Sequence, residues 1–309
     1  MRRGLEWLAD HGGVAFPVSL ALGLLLPPLA GAIRPNLFAV VLVLTFFVLL
    51  RTDLVAAVAE LRRPLALLAV LSFSLAVSPL LVLAAARIVG LDPNLAAAWV
   101  VTATAPSITS APAFARIMGL DASFALSASV GGMVLTPLTA PPLALSLAGV
   151  DLALTVPVMM ARLSVFIGLP LLATIAARRA APAYLAAQAR ATDGLTVLAL
   201  SVFAVGVMDG VSALALREPQ RMATMLGAAF LLNALLFAAG SLLFAAAPAR
   251  RAATAGLLVG NRQMALMLVV LPPDAPRDVV LFLAVAQLPL YLNPFLLRPL
   301  LRRWLKPPA

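Results

Sequence analysis

Within the apolar runs of this 309-residue chain, two short stretches concentrate side chains and backbone breaks suited to chemistry. One is Gly256-Leu257-Leu258-Val259-Gly260-Asn261-Arg262-Gln263-Met264-Ala265-Leu266, a polar insert in an apolar run that continues to Leu271. The other is Ala105-Pro106-Ser107-Ile108-Thr109-Ser110-Ala111-Pro112, two prolines six apart with three hydroxyls between them. An arginine in the middle of an apolar run costs at least about 2.5–3.5 kcal/mol at a bilayer midplane, so the chain must supply compensating contacts. Gly260 followed by two amides, like the paired prolines of the other stretch, predicts a helix that breaks and resumes. Carbonyls and amides freed by such a break need a protein-lined cavity. The chemistry open to them is binding, because half-helix N-termini attract an anion and C-terminal carbonyls a cation. Arg262 has two compatible roles: a charge at a binding site, or a structural guanidinium saturated by the carbonyls of a neighbouring helix.

Bond-breaking chemistry lacks its parts. The chain has no cysteine and a single histidine, His11 near the N-terminus, which excludes a thiol nucleophile, an iron–sulfur site and a histidine-based metal site. No acidic pair lies within an apolar segment to hold magnesium pyrophosphate, and no histidine accompanies a serine there. The sequence therefore reads as a non-enzyme without metal or cofactor.

Composition places these stretches in a bilayer. Hydrophobic residues make up 63% of the chain and charged ones 11%, against about 25% charged in soluble proteins. Apolar segments near the roughly twenty residues of a membrane helix recur throughout, and no polar stretch is long enough for a soluble domain, so residues 1–309 read as one membrane domain. The net charge of +10 is almost all arginine, with Lys306 the only lysine, and it clusters in short loops. That pattern fits membrane topology and excludes nucleic acid as a partner. Met1-Arg2-Arg3 lacks the features of a removable signal peptide.

An amphipathic start, Leu5-Glu6-Trp7-Leu8, precedes ten expected spans. They lie at about 13–31, 36–52, 64–90, from Pro93 through the break at 105–112, 122–145, 154–177, 195–214, 222–246, through the Arg262 stretch, and 278–301. Landmarks recur at a separation of 157 residues: Asp121 and Asp278, Pro137 and Pro294, Pro142 and Pro299. In that register Pro106 falls on Gln263, so the breaks of spans four and nine coincide. Five spans per copy is odd, so the second copy enters the membrane upside down: repeat one covers about 13–145 and repeat two about 154–301. The fold expected is all-α, with ten transmembrane helices in two inverted five-helix repeats and broken helices 4 and 9 crossing. Arg2, Arg3, Arg51, Arg62, Arg63, Arg116, Arg178, Arg179, Arg190, Arg250, Arg251, Arg302, Arg303 and Lys306 fall on one side, against Arg34, Arg87, Arg217, Arg221 and Arg277 on the other. The positive-inside rule puts both termini in the cytoplasm, with the cell inner membrane as the location.

These residues resemble the bile acid:sodium symporter family, within the bile, arsenite and riboflavin transporter superfamily. The resemblance runs through Ala105-Pro106 and the hydroxyls after it, Gly119-Leu120-Asp121, a small-residue helix with Thr136-Pro137, and Gly260 with its following amides. It covers nearly the whole chain, and the related auxin efflux carriers share much of the outline. It implies a panel domain of spans one, two, six and seven and a core domain of spans three to five and eight to ten. It also implies sodium ligands: a serine–asparagine pair in span four, a glutamate two residues before the ninth-span glycine and a glutamine two residues after it. Here those positions hold Ala111 and Pro112, Leu258, and Arg262. The chain is thus similar to a divergent member without the usual sodium ligands, and Arg262 is expected to stand in for the ion.

The candidate substrate- and ion-binding residues are Pro106, Ser107, Thr109, Ser110, Pro112, Ser129, Gly260, Asn261, Arg262, Gln263 and, in the sixth span, Arg162. Serine and threonine elsewhere in the spans commonly bond their own helix, so those of the broken segment carry more weight. Arg162 either faces a substrate, snorkels to the interface or pairs with Asp209, and Met208-Asp209-Gly210 is either a proton site or a solvated helix end. Intramembrane cations without an obvious carboxylate favour a small organic anion. The expectation is a secondary transporter working by alternating access, sodium-independent, as a uniporter or coupled to protons. Two alternatives stay open: a genuine sodium-coupled symporter or auxin-efflux-type carrier, and a non-transporting membrane sensor or scaffold.

Overall fold

Long runs of leucine, alanine and valine, punctuated by proline and glycine, leave the backbone no partner in lipid but its own helix. The computed structural model describes residues 2–53, 55–58 and 64–304, so Glu60, Arg62, Arg63 and Lys306 lie outside the described residues. Among these, the regular structure is helical throughout, and one isolated bridge is the sole β-type pairing. In order the helices are α1 (Arg2–Asp10), α2 (Gly12–Leu25), α3 (Pro27–Ile33), α4 (Leu37–Arg51), α5 (Pro64–Ser72), α6 (Ser78–Val89), α7 (Pro93–Thr104), α8 (Ala111–Ile117) and α9 (Ala122–Leu147). The second half continues with α10 (Val156–Ala180), α11 (Pro182–Ala187), α12 (Ala189–Val207), α13 (Val211–Arg217), α14 (Pro219–Leu243), α15 (Ala249–Gly260), α16 (Met264–Val270), α17 (Arg277–Val285) and α18 (Gln287–Trp304).

Among the described residues, six helical stretches are long and apolar enough to cross a membrane: Pro27–Arg51, Pro64–Val89, Ala122–Leu147, Val156–Ala180, Ala189–Arg217 and Pro219–Leu243. A seventh is added if α1 and α2, bent 94° from one another, count as one span. The chain is therefore an all-α protein with the helices of a multi-pass membrane protein. Large side chains such as Leu68, Leu138 and Leu172 stand exposed on these helices, as a lipid-facing surface requires.

Several elements depart from the expected spans. The first apolar run breaks at Leu26, ahead of Pro27-Pro28, into α2 and α3. The seventh breaks at Met208–Gly210, where Gly210 takes the left-handed φ of 78° that favours glycine, and Asp209 sits half-buried in that turn. Pro219 starts α14 earlier than expected. The fifth span, by contrast, forms close to its expected bounds, α9 running unbroken through Pro137, Pro141 and Pro142. Between α5 and α6, Phe73–Val77 forms a π-helical turn that the expected spans did not include.

The chain divides into two compact units, Met1–Asp53 with Arg162–Met222, and Leu54–Ala161 with Ala223–Ala309. In the first, α1 to α4 all pack on α12. Close approach depends on glycines: a Cβ on Gly194 would stand 2.0 Å from the Leu5 carbonyl oxygen, and one on Gly23 2.5 Å from that of Val205. Polar contacts fasten one end of this unit. Arg51 pairs with Asp193 at 2.6 Å and Arg190 with Asp10 at 2.6 Å. The Arg178 Nη2 donates to the carbonyls of Leu49, Leu50 and Thr52, the last turn of α4.

The second unit holds both interrupted helices, α7 with α8 and α15 with α16. Its α14 and α15 meet through Gly240, Gly256 and Gly260, since a Cβ on Gly256 would lie 2.2 Å from the Ser241 Oγ and 2.7 Å from the Phe237 carbonyl oxygen. Small residues at such a crossing let two backbones touch, the usual basis of helix association in membranes. Thr254 on α15 accepts the N–H of Asp121, whose side chain caps α9 through the Phe124 N–H.

Candidate functional site

The end of a helix leaves four carbonyls without partners, and in a dry interior each must find a donor. At the end of α15 the donors come from all around. The Leu257 carbonyl takes the Asn261 N–H, Leu258 the Ser107 hydroxyl at 2.7 Å, Val259 the Arg262 Nε at 2.7 Å, and Gly260 the Asn233 amide at 2.9 Å. The next carbonyl, of Asn261, accepts the Ile108 N–H at 2.9 Å, and the Pro106 carbonyl accepts the Gln263 N–H at 2.8 Å. These last two bonds flank an antiparallel bridge between Ser107 and Arg262, so the two helix breaks pair with each other. Irregular backbone buried in this way leaves little hydrogen-bonding capacity unused.

Arg262 fills the centre. Its side chain is fully buried and donates to five oxygens: Val259 O, Ser74 O at 2.9 Å, Ser74 Oγ at 2.7 Å, Ala105 O at 3.0 Å and Ser78 Oγ at 2.6 Å. All five are neutral, and no carboxylate pairs with Arg262 among the described residues. Helix ends supply the electrostatic compensation. Val259 closes α15 and Ala105 caps α7, so the negative ends of two helix dipoles meet at the guanidinium.

The third face comes from the π-turn. There the Ser78 N–H reaches Phe73 O rather than Ser74 O, and the following residue, Pro79, has no N–H to give. The Ser74 carbonyl is thereby released to Arg262, helped by the Ser78 hydroxyl, which donates to it at 2.8 Å.

The expected site residues divide accordingly. Pro106, Ser107, Gly260, Asn261 and Arg262 are buried in the bridge and cage, while Thr109, Ser110, Pro112 and Gln263 are half-buried on the other side of the breaks. The Thr109 N–H donates to Gln263 Oε1 at 3.1 Å, joining the two resumed helices. Ser110 precedes α8, and its Oγ has no partner among the described residues. Ser129 is buried on α9 and equally lacks a partner. The same helix passes behind the break, where a Cβ on Gly132 would lie 3.9 Å from Pro106 Cβ. Arg162 stands half-exposed on α10 and belongs to the first unit, not to the unit that contains the breaks.

Sequence reasoning missed Ser74 and Ser78 altogether and gave Asn233 no role. Asn233 is buried and donates to both Gly260 O and Asn261 Oδ1, holding the end of α15 from α14. The spacing of Ser74 and Ser78, four apart with a proline after the second, was the available signal.

No protein-family model matches this chain, and no curated protein matches it.

Proposed function

We propose that this protein is a secondary carrier of a small organic anion, working by alternating access in the cell inner membrane without sodium, and a divergent relation of the bile acid:sodium symporters. The observation that carries the reading is the meeting of two interrupted helices around a buried guanidinium held by five neutral oxygens. Discontinuous helices paired at their breaks are a recurrent way for secondary transporters to build a binding centre. With its oxygens bonded to Arg262, the cage has none to spare for sodium. The charge meets no carboxylate among the described residues, which supports an approaching anion over a cation.

Ten spans in two inverted halves, with both termini cytoplasmic, belong to this proposal. The bridge itself is a local two-fold: Ile108 to Asn261 and Gln263 to Pro106 exchange when the chain is advanced by the 155 residues that separate Ser107 from Arg262. Pro64 and Pro219, which begin α5 and α14, share that separation, as do Ala122 and Arg277, which begin α9 and α17. The separation of 157 between Pro137 and Pro294 then needs two more residues in the second copy, where Ala286 interrupts the helix that α9 keeps continuous. The two compact units group the segments of spans one, two, six and seven apart from the rest, which supports a panel and a core.

The test is uptake of labelled short mono- and dicarboxylates into proteoliposomes, with sodium or choline as the external cation and with or without a proton gradient. Saturable uptake unchanged by exchanging sodium for choline is the expected result. Uptake that requires sodium would sink the sodium-free carrier, and folded protein that moves none of these anions would leave a sensor or scaffold as the better reading.

A further inference from the structure

We propose that α1 is an in-plane anchor whose Trp7 face lies in the headgroup region of an anionic membrane leaflet. Four of its nine residues are charged, Arg2, Arg3, Glu6 and Asp10, and nine residues of helix reach only about 13 Å against a hydrocarbon core of about 30 Å. It therefore cannot cross the bilayer. Its axis stands 94° from the apolar helix that follows, so an α2 directed into the membrane leaves α1 parallel to the surface.

The helix is two-sided at 100° per residue. Arg2, Arg3, Glu6 and Asp10 occupy one sector, and Gly4, Leu5, Trp7, Leu8 and Ala9 the other. Only part of the apolar sector is covered within the protein: Leu5, Leu8 and Ala9 are half-buried, and the Leu5 backbone packs against Gly194 of α12. Trp7, on the other shoulder, is 60% exposed and stacks on His11 with ring centroids 4.3 Å apart. An indole with a wet edge and an apolar body suits the bilayer interface better than water or hydrocarbon.

Charge selects the headgroup. Glu6 is taken by Arg2 and Asp10 by Arg190, so both carboxylates of α1 are neutralised within the unit. Arg3 is exposed and in no ion pair among the described residues, which leaves a net positive rim for lipid phosphate. A cationic residue near an anionic leaflet gains about 1 kcal/mol. The inference depends on membrane insertion alone and stands whether or not the protein is a carrier.

The experiment compares wild type with Trp7→Phe in vesicles of phosphatidylglycerol and phosphatidylcholine carrying brominated acyl chains. Trp7 contributes the difference between the two emission spectra, free of Trp99 and Trp304. The expected difference spectrum is blue-shifted, strongly quenched by bromines at carbons 6 and 7, weakly by bromines at carbons 11 and 12, and shielded from iodide. Quenching by iodide as efficient as for free tryptophan, with none from bromolipid, would place the ring in water and overturn the proposal. Stronger quenching by the deeper bromines would overturn it from the other side, since α1 would then enter the hydrocarbon.

Discussion

Two arginines in this protein do the same local job in different surroundings. Arg178 in the first unit and Arg262 in the second each collect backbone carbonyls at helix ends, three and three respectively, and Arg262 adds two serine hydroxyls. Arg178 is half-exposed, so its carbonyls have water as an alternative donor, whereas Arg262 is fully sealed. A hydrogen bond exchanged for one to water contributes little net free energy; one whose loss leaves a buried acceptor empty costs about 1–3 kcal/mol. The difference teaches that burial, not the number of bonds, decides which arginine the fold depends on.

The largest test is Arg262→Ala. Emptying the cage should destabilise the detergent-purified protein by about 4 kcal/mol or more, since several buried acceptors lose their donor at once. At about 2–4 °C per kcal/mol this lowers Tm by about 10 °C. A stabilised variant would mean that relief from burying the charge outweighs the cage, as in some apolar replacements of buried ions.

Ser78→Ala ranks next. It removes the Nη2 acceptor and one donor to Ser74 O, and the loss should be about 1.5–3 kcal/mol, the range for bonds to charged groups. If thermal unfolding of this variant matches wild type, the π-turn serines are spectators of the cage. Arg178→Gln should cost about 1 kcal/mol or less, because water replaces the lost donor at the end of α4. Chemical denaturation giving it the same loss as Arg262→Ala would break the comparison outright. The smallest effect belongs to Asp193→Asn, which opens the exposed pair with Arg51 and should change stability by about 0–1 kcal/mol, less at high salt.

Much of this contrast was legible in the residues. An arginine ten residues into an apolar run demands compensating contacts, and prolines or glycine beside hydroxyls and amides mark a break by their backbone chemistry alone. The partners were not legible. Serines in apolar helices usually bond the preceding turn, and Ser78 does so as well as accepting from Arg262, so its second role leaves no trace in composition. The π-turn contains no proline or glycine, and the Ser107–Arg262 bridge has a separation of 155, two short of the 157 between Asp121 and Asp278.

The π-turn also has a consequence for lineage. Such a turn is how a helix accommodates a single inserted residue without unravelling. The wide turn at Phe73–Val77 absorbs the extra residue, so the helix beyond Val77 keeps its facing while its backbone bonding shifts by one residue. A relative whose third segment is a plain α-helix would align with this chain only across a one-residue gap at 73–77.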